Sequence, residues 1–346
     1  MRRPEGAVAR AEAWLFAPGD PRRLAALRIG LGTVLALRLA TGPYLELARQ
    51  PAALFRPISF LHLLHAMPPP AVVAVLQVAA AAAAVLAAAG VAARVTLPLA
   101  WVVALPLVAM TSSLGKVVHN DVLLLLSLVA LLPARTADAW SPTARRRRRR
   151  GSGGLKSEAG TPAAGGRAGP SGSPPVNRGA PAGRSVRYGW PVRTATVVVA
   201  GAYFFTGLGK LLHAGPAWVT SGNLRWVLYA SSDQAPLPNH AALFVADRPW
   251  LAHLVALATL VVELGFPLVL LRPRAALVLV PCVLAMHAGI WVAMGLNYWP
   301  MAATVVLVMV DWAALADRLR PHNQPLRLKK SHRPAPDSTI SPSAPG

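Results

Sequence analysis

Apolar runs long enough to cross a lipid bilayer recur along most of this chain, and no other feature constrains its fold as tightly. A hydrocarbon core of about 30 Å needs about 20 residues of helix, and inside it only helices or closed barrels satisfy their own backbone hydrogen bonds. Runs of suitable length cover about residues 24–40, 71–92, 95–112, 121–132, 192–212, 251–271, 275–296 and 301–316. The expectation is an all-α fold, a polytopic membrane helix bundle of about eight transmembrane helices in two halves. The last two runs, flanking Asn297 to Pro300, read either as two helices or as one bent hairpin. The run at 71–92 is rich in alanine, whose small side chain lets helices approach closely.

The 346 residues carry a formal charge of +22, with 54% hydrophobic residues. In a soluble chain that charge would point to nucleic acid. Here the few aromatic residues lie within or beside the apolar runs, so no basic surface with base-stacking rings forms; nucleic acid is not an expected partner, and membrane lipid is. The single cysteine, Cys282, excludes an intramolecular disulfide and a cysteine-based zinc site. No apolar core of signal-peptide type precedes Arg22, so the first run is expected to direct insertion.

Composition divides the chain further. A polar, basic head (1–23) ends in Pro18-Gly19-Asp20-Pro21, a turn signal before a helix. The first membrane half (24–134, four helices) is followed by a basic segment (135–191) with six consecutive arginines, Arg145 to Arg150, and then Gly, Ser, Pro and Ala. Lacking large apolar residues, that segment is expected to be a disordered linker. The second membrane half (192–316, about four helices) precedes a basic tail (317–346), also expected to be disordered. Alternating sides from a cytoplasmic N-terminus leaves only Arg49, Arg56, Lys116, Lys210, Arg225 and Arg248 outside. The positive-inside rule therefore predicts a multi-pass cell-membrane protein with both termini and the linker cytoplasmic.

Ionisable residues inside a membrane are costly and usually face a bundle interior or a wet cavity. Counted at 1.5 Å per residue from the nearest cytoplasmic basic residue, Lys210 lies roughly 25 Å deep, Arg38 roughly 22 Å, Asp121 roughly 21 Å and His287 roughly 20 Å. His119 and Asn120 sit just beyond Asp121. One polar layer in the outer half is expected, with Tyr203, Thr206, Lys210 and His213 on one helix face. Two explanations stand for Lys210, a buried site or a side chain snorkelling to the headgroups. Glu263 and Asp311 count as deeper toward the cytoplasm, where structural pairing is the first expectation. Trp218, Trp226, Trp250 and Trp299 read as an interfacial belt. The histidines lack HExxH-type spacing, so no metal site is expected, and no P-loop, GxSxG or GxGxxG stands in a suitable context.

Several segments together resemble the horizontally transferred transmembrane (HTTM) domain family, related to the membrane domain of vitamin K-dependent γ-carboxylase. They are FAPGDPRRLAALRIGLG, GKVVHNDVLLLL, YFFTGLGKLLHAGPAWV, VELGFPLVLL and MHAGIWVAMGLNYWP, between Trp14 and Trp312. The resemblance implies Lys210 as the base that deprotonates a reduced quinone, with His119, Asn120 and His287 as further catalytic residues. The cofactor-binding candidates beside them are Tyr203, Thr206, Asp121 and Trp291. The order here is His119-Asn120, whereas the family pattern is Asn-His. Carboxylation of a protein glutamate is not expected to carry over, because the printed sequence holds no counterpart of the carboxylase's large extramembrane domain. Quinol or lipid chemistry in the helical core is. The alternative is a non-catalytic multi-pass binding or assembly protein, for example of the peptide-toxin production or immunity type.

Overall fold

The computed structural model describes residues 6–114, 119–146, 183–234 and 240–319. It is all-α, with no strand among the described residues beyond an isolated bridge between Gly19 and Ser185. Nine helices matter for the site: α1 (Pro21–Thr41), α2 (Pro70–Ala89), α3 (Ala93–Thr111), α4 (Val122–Val129), α5 (Val186–Ala214), α6 (Pro249–Gly265), α7 (Ala276–Met294), α8 (Trp299–Met309) and α9 (Trp312–Leu319).

Local chemistry sets the ends. Asp20 caps α1 by accepting the Arg22 amide at 2.8 Å, and Pro21 takes the first helical position, where its missing N–H costs nothing. Gly90 ends α2 with φ +78°, in the left-handed region that glycine enters freely. A Cβ there would also come 2.9 Å from the Arg28 guanidinium, so the position needs glycine twice over.

Among the described residues six spans are long and apolar enough to cross a membrane, α6 counting together with the short helix that follows it, or seven if α8 and α9, bent by 70°, count as one broken span. The expected fourth span is the exception. Its regular helix, α4, has eight residues, about 12 Å at the α-helical rise, and the apolar sequence continues in turns. Irregular backbone at membrane depth is tolerated where protein surrounds it. Leu123, Leu124, Leu128, Ala130 and Leu131 are all buried. The run 251–271 breaks after Gly265, at Phe266 and Pro267, before a short helix at Leu268–Leu271.

At the centre stands α1, which buries Leu24, Leu27, Leu31, Leu35 and Leu39 and packs against α2, α4, α5 and α8. Ala80, Ala83, Ala84 and Ala87 form the buried face of α2. Gly32 lies so near that helix that a Cβ would stand 3.2 Å from the Ala88 backbone. The small residues thus set the α1/α2 spacing.

Polar ties sort the loops to two ends. One end gathers Arg22 with Asp317 at 2.8 Å, Arg23 with Asp311 at 3.6 Å, Tyr188 with Asp138 at 2.8 Å, and Arg193 with the Ala17 carbonyl. The other joins Arg38 to Asp121 and the Asn120 amide to the Asn297 carbonyl. The described parts of the head, of the 135–191 segment and of the C-terminal region therefore share one end of the bundle. Residues 135–146 and 183–191, expected to belong to a disordered linker, are folded: Thr136–Asp138 forms a 3-10 turn and α5 already begins at Val186. Most of the arginine run, the linker's middle (147–182) and the tail from 320 lie outside the described residues.

Candidate functional site

The site is built where α5 meets α6. Gly207 allows the contact, since a Cβ there would stand 2.9 Å from the Glu263 Cβ. One turn further, Lys210 Nζ donates to both Glu263 oxygens, at 2.5 and 2.7 Å. The Glu263 side chain is 5% exposed and that of Lys210 18%, so the pair is buried between helices. The ammonium also lies 4.9 Å from the ring centre of Trp218, a cation–π contact. Lys210 does not snorkel to the headgroups. It does not pair with Asp121 either, which is 2% exposed and receives Arg38 Nε at 2.8 and 3.0 Å.

Two turns back along α5, Tyr203 Oη lies 2.8 Å from His287 Nε2 on α7. Both residues are buried, and the Tyr203 ring packs on Phe266 at 4.8 Å. Tyr298, in the turn between α7 and α8, bridges the two histidines, with ring centres 5.5 Å from His287 and 5.4 Å from His119. Asn120 reaches the same turn through the Asn297 carbonyl at 2.9 Å. Tyr203 on α5, packed on Phe266 just after α6, links these contacts to the Lys210–Glu263 pair.

The loop members of the cluster are neutral near pH 7. Desolvation first, and the Lys210 charge second, hold the His119 imidazole below its ordinary range. Burial pushes the Tyr298 phenol above its own. Both can therefore give or take hydrogen bonds without adding charge.

The helix face expected on α5 divides. Measured from Gly207, which faces α6, Tyr203 and Lys210 lie about 40° and 60° away around the axis, whereas Thr206 and His213 lie about 100° and 120° away. Both are exposed, and both bond back to their own helix, Thr206 Oγ1 donating to the Ala202 carbonyl at 2.8 Å and His213 Nδ1 lying 2.7 Å from the Gly209 carbonyl. Trp291 is likewise on the surface, 43% exposed. Of the expected site residues the structure thus gathers Lys210, Tyr203, His287, His119 and Asn120; it sends Thr206 and Trp291 outward and gives Asp121 to Arg38. Of the expected tryptophan belt, Trp226 (73% exposed) and Trp250 (65%) are on the surface, while Trp218 covers Lys210.

Sequence reasoning missed Glu263, Trp218 and Tyr298. Glu263 stood out as an acid in an apolar run and was expected in a structural pairing nearer the cytoplasm, without Lys210 as its partner. Comparison with family models, with characterised proteins and with solved structures gives no significant match. What the fold defines is a multi-pass, all-α membrane bundle, and the site has to be read from its own chemistry.

Proposed function

We propose that this HTTM-like protein is a membrane enzyme acting on a reduced quinone or another lipid-soluble hydroxyl compound, with Lys210 and Glu263 as its proton-accepting unit. One observation carries the reading: a Lys–Glu pair is buried between two membrane helices under Trp218, and in this cluster two buried polar atoms have no partner among the described residues. These are Nδ1 of His287 and Nε1 of Trp218. Buried polar atoms are nearly always hydrogen-bonded, so an orphan on Trp218 against the ion pair and another on His287 beyond Tyr203 fit a site completed by a polar ligand.

The chemistry is that of a general base. Transfer of a proton from Nζ to Glu263, across a 2.5 Å contact, leaves a neutral amine and a neutral acid. Lys210 then accepts the proton of a substrate hydroxyl and becomes ammonium again, and the substrate is left as an oxyanion. The Trp218 N–H, an obligate donor, is suited to stabilise that oxygen. The Tyr203 contact fixes the ring of His287.

The rival reading, a non-catalytic binding or assembly protein, is favoured by the closure of the same pair, since a purely structural tie has the same geometry. Organic extraction and mass spectrometry of the purified protein separate the two. The wild type is expected to retain a quinone and, with dioxygen supplied as oxidant, to consume reduced naphthoquinone, while the charge-free Lys210→Met/Glu263→Gln variant inserts normally and does neither. A wild type that retains no quinone and shows no turnover would leave the structural tie.

The same reading places the protein in the cell membrane with both chain ends and the 135–191 segment in the cytoplasm. It rests on the shared end of the bundle and on the positive-inside rule. Trypsin is expected to cut within Arg145–Arg150 in inside-out vesicles and to spare the run in intact cells; cleavage in intact cells would reverse the orientation.

A further inference from the structure

A cleft of about 550 Å³ opens at the arginine-rich end of the bundle, between α1 and residues 138–145, far along the chain from Lys210. Its walls include Arg22, Ile29, Asp138, Trp140 and Arg145. Behind them Arg28 is fully buried. Its guanidinium donates to the carbonyls of Thr136 at 2.7 Å, Trp140 at 2.8 Å and Ala139 at 3.4 Å, and among the described residues it has no carboxylate partner. Its Nε has no partner either. A buried cation answered only by carbonyl dipoles leaves positive potential in the surrounding low dielectric.

Arg22 is neutralised by Asp20 and Asp317, both at 2.8 Å. The acid in the wall, Asp138, accepts the Tyr188 hydroxyl at 2.8 Å. Against that one acid stand buried Arg28 and exposed Arg145. Trp140, held at φ +48°, keeps its ring 39% exposed, and Ile29 adds an apolar wall. Trp14 and Phe16 are also exposed at this end, and α9 turns aside by 70° with Leu315 and Leu319 exposed. Exposed aromatics and an amphipathic helix crossing the bundle axis mark the membrane interface.

We propose that this cleft binds the phosphate headgroup of an anionic membrane lipid. Arg145 contacts the phosphate at the mouth, Arg28 supplies the uncompensated charge behind it, and Trp140 and Ile29 pack on the first carbons of the lipid. Arg145 suits the role because a guanidinium matches phosphate geometry with two parallel hydrogen bonds.

The test uses the full chain in nanodiscs of phosphatidylcholine, with or without phosphatidylglycerol, and counts retained lipid by native mass spectrometry. Phosphatidylglycerol is expected to be retained over phosphatidylcholine, and Arg145→Glu to lower that retention by about five-fold or more, the ratio corresponding to one interfacial arginine. The neighbouring Arg146→Glu, equally exposed but outside the walls, should leave it nearly unchanged. Equal losses in the two variants would mean diffuse charge attraction and overturn the site. So would equal retention of the two lipids. Stabilisation by free glycerol phosphate, with none from phosphatidylglycerol, would assign the cleft to a soluble anion and overturn the lipid assignment.

Discussion

Lys210→Met is expected to destabilise the folded protein by about 3–5 kcal/mol, and adding Glu263→Gln is expected to return most of that loss. Taking one partner from a buried ion pair leaves the other charge unpaired, which costs several kcal/mol, whereas removing both charges with volume conserved is near neutral. The two single variants should differ. Glu263, with 5% of its side chain exposed, has a short stem and cannot reach water once Lys210 is gone. Lysine in Glu263→Gln keeps a four-carbon stem that can carry its ammonium toward water, so this variant should lose less. Thermal unfolding in detergent, read as the half-life of folded protein because membrane proteins rarely refold on cooling, measures all three. If Lys210→Met survives as long as the wild type, the pair is not formed. Activity sharpens the result: a double variant that regains stability without turnover separates the chemistry of the pair from its structural role.

Much of the bundle was legible because a bilayer sets a length. The apolar runs give the long helices, and the turn signal that ends in Asp20-Pro21 marks the start of the first of them. Depth counting also brought together two partners, although the stretch counted for Asp121 runs past the end of α4 into turns. Arg38 and Asp121 came out roughly 22 and 21 Å deep, and they are paired. It did not pair Glu263 with Lys210, which counted as much nearer the other end of the span. The short α4 was hidden because Leu131 and Leu132 continue the apolar pattern after the regular helix has ended. Arg28 was illegible in another way. Its partners are backbone carbonyls, and every residue has one, so no residue type signals the contact. Within the site, Thr206 and Lys210 lie four residues apart, a spacing that permits one face without requiring it, and the close approach of α6 at Gly207 decides which residues turn inward.

The Arg38–Asp121 pair should matter as much to the fold as Lys210–Glu263, and its loss should be insensitive to salt. Asp121 is 2% exposed and Arg38 14%, and Arg38 also stands 5.8 Å from the ring centre of buried Tyr44. Arg38→Leu strands a carboxylate just ahead of α4, where the helix is too short to move it outward. The expected cost is about 3–5 kcal/mol, with most of it recovered in Arg38→Leu/Asp121→Leu. The Arg22–Asp317 bridge provides the contrast. At 2.8 Å it is as short, but its side chains are 36% and 44% exposed. Exposed pairs contribute about 0–1 kcal/mol and are screened over a Debye length of about 8 Å at physiological ionic strength. Asp317→Asn should therefore cost little, and that little should vanish in high salt, while the Arg38→Leu defect persists unchanged. If the Arg38→Leu defect also fades with salt, Asp121 is open to water and this end of the bundle is looser than its packing implies.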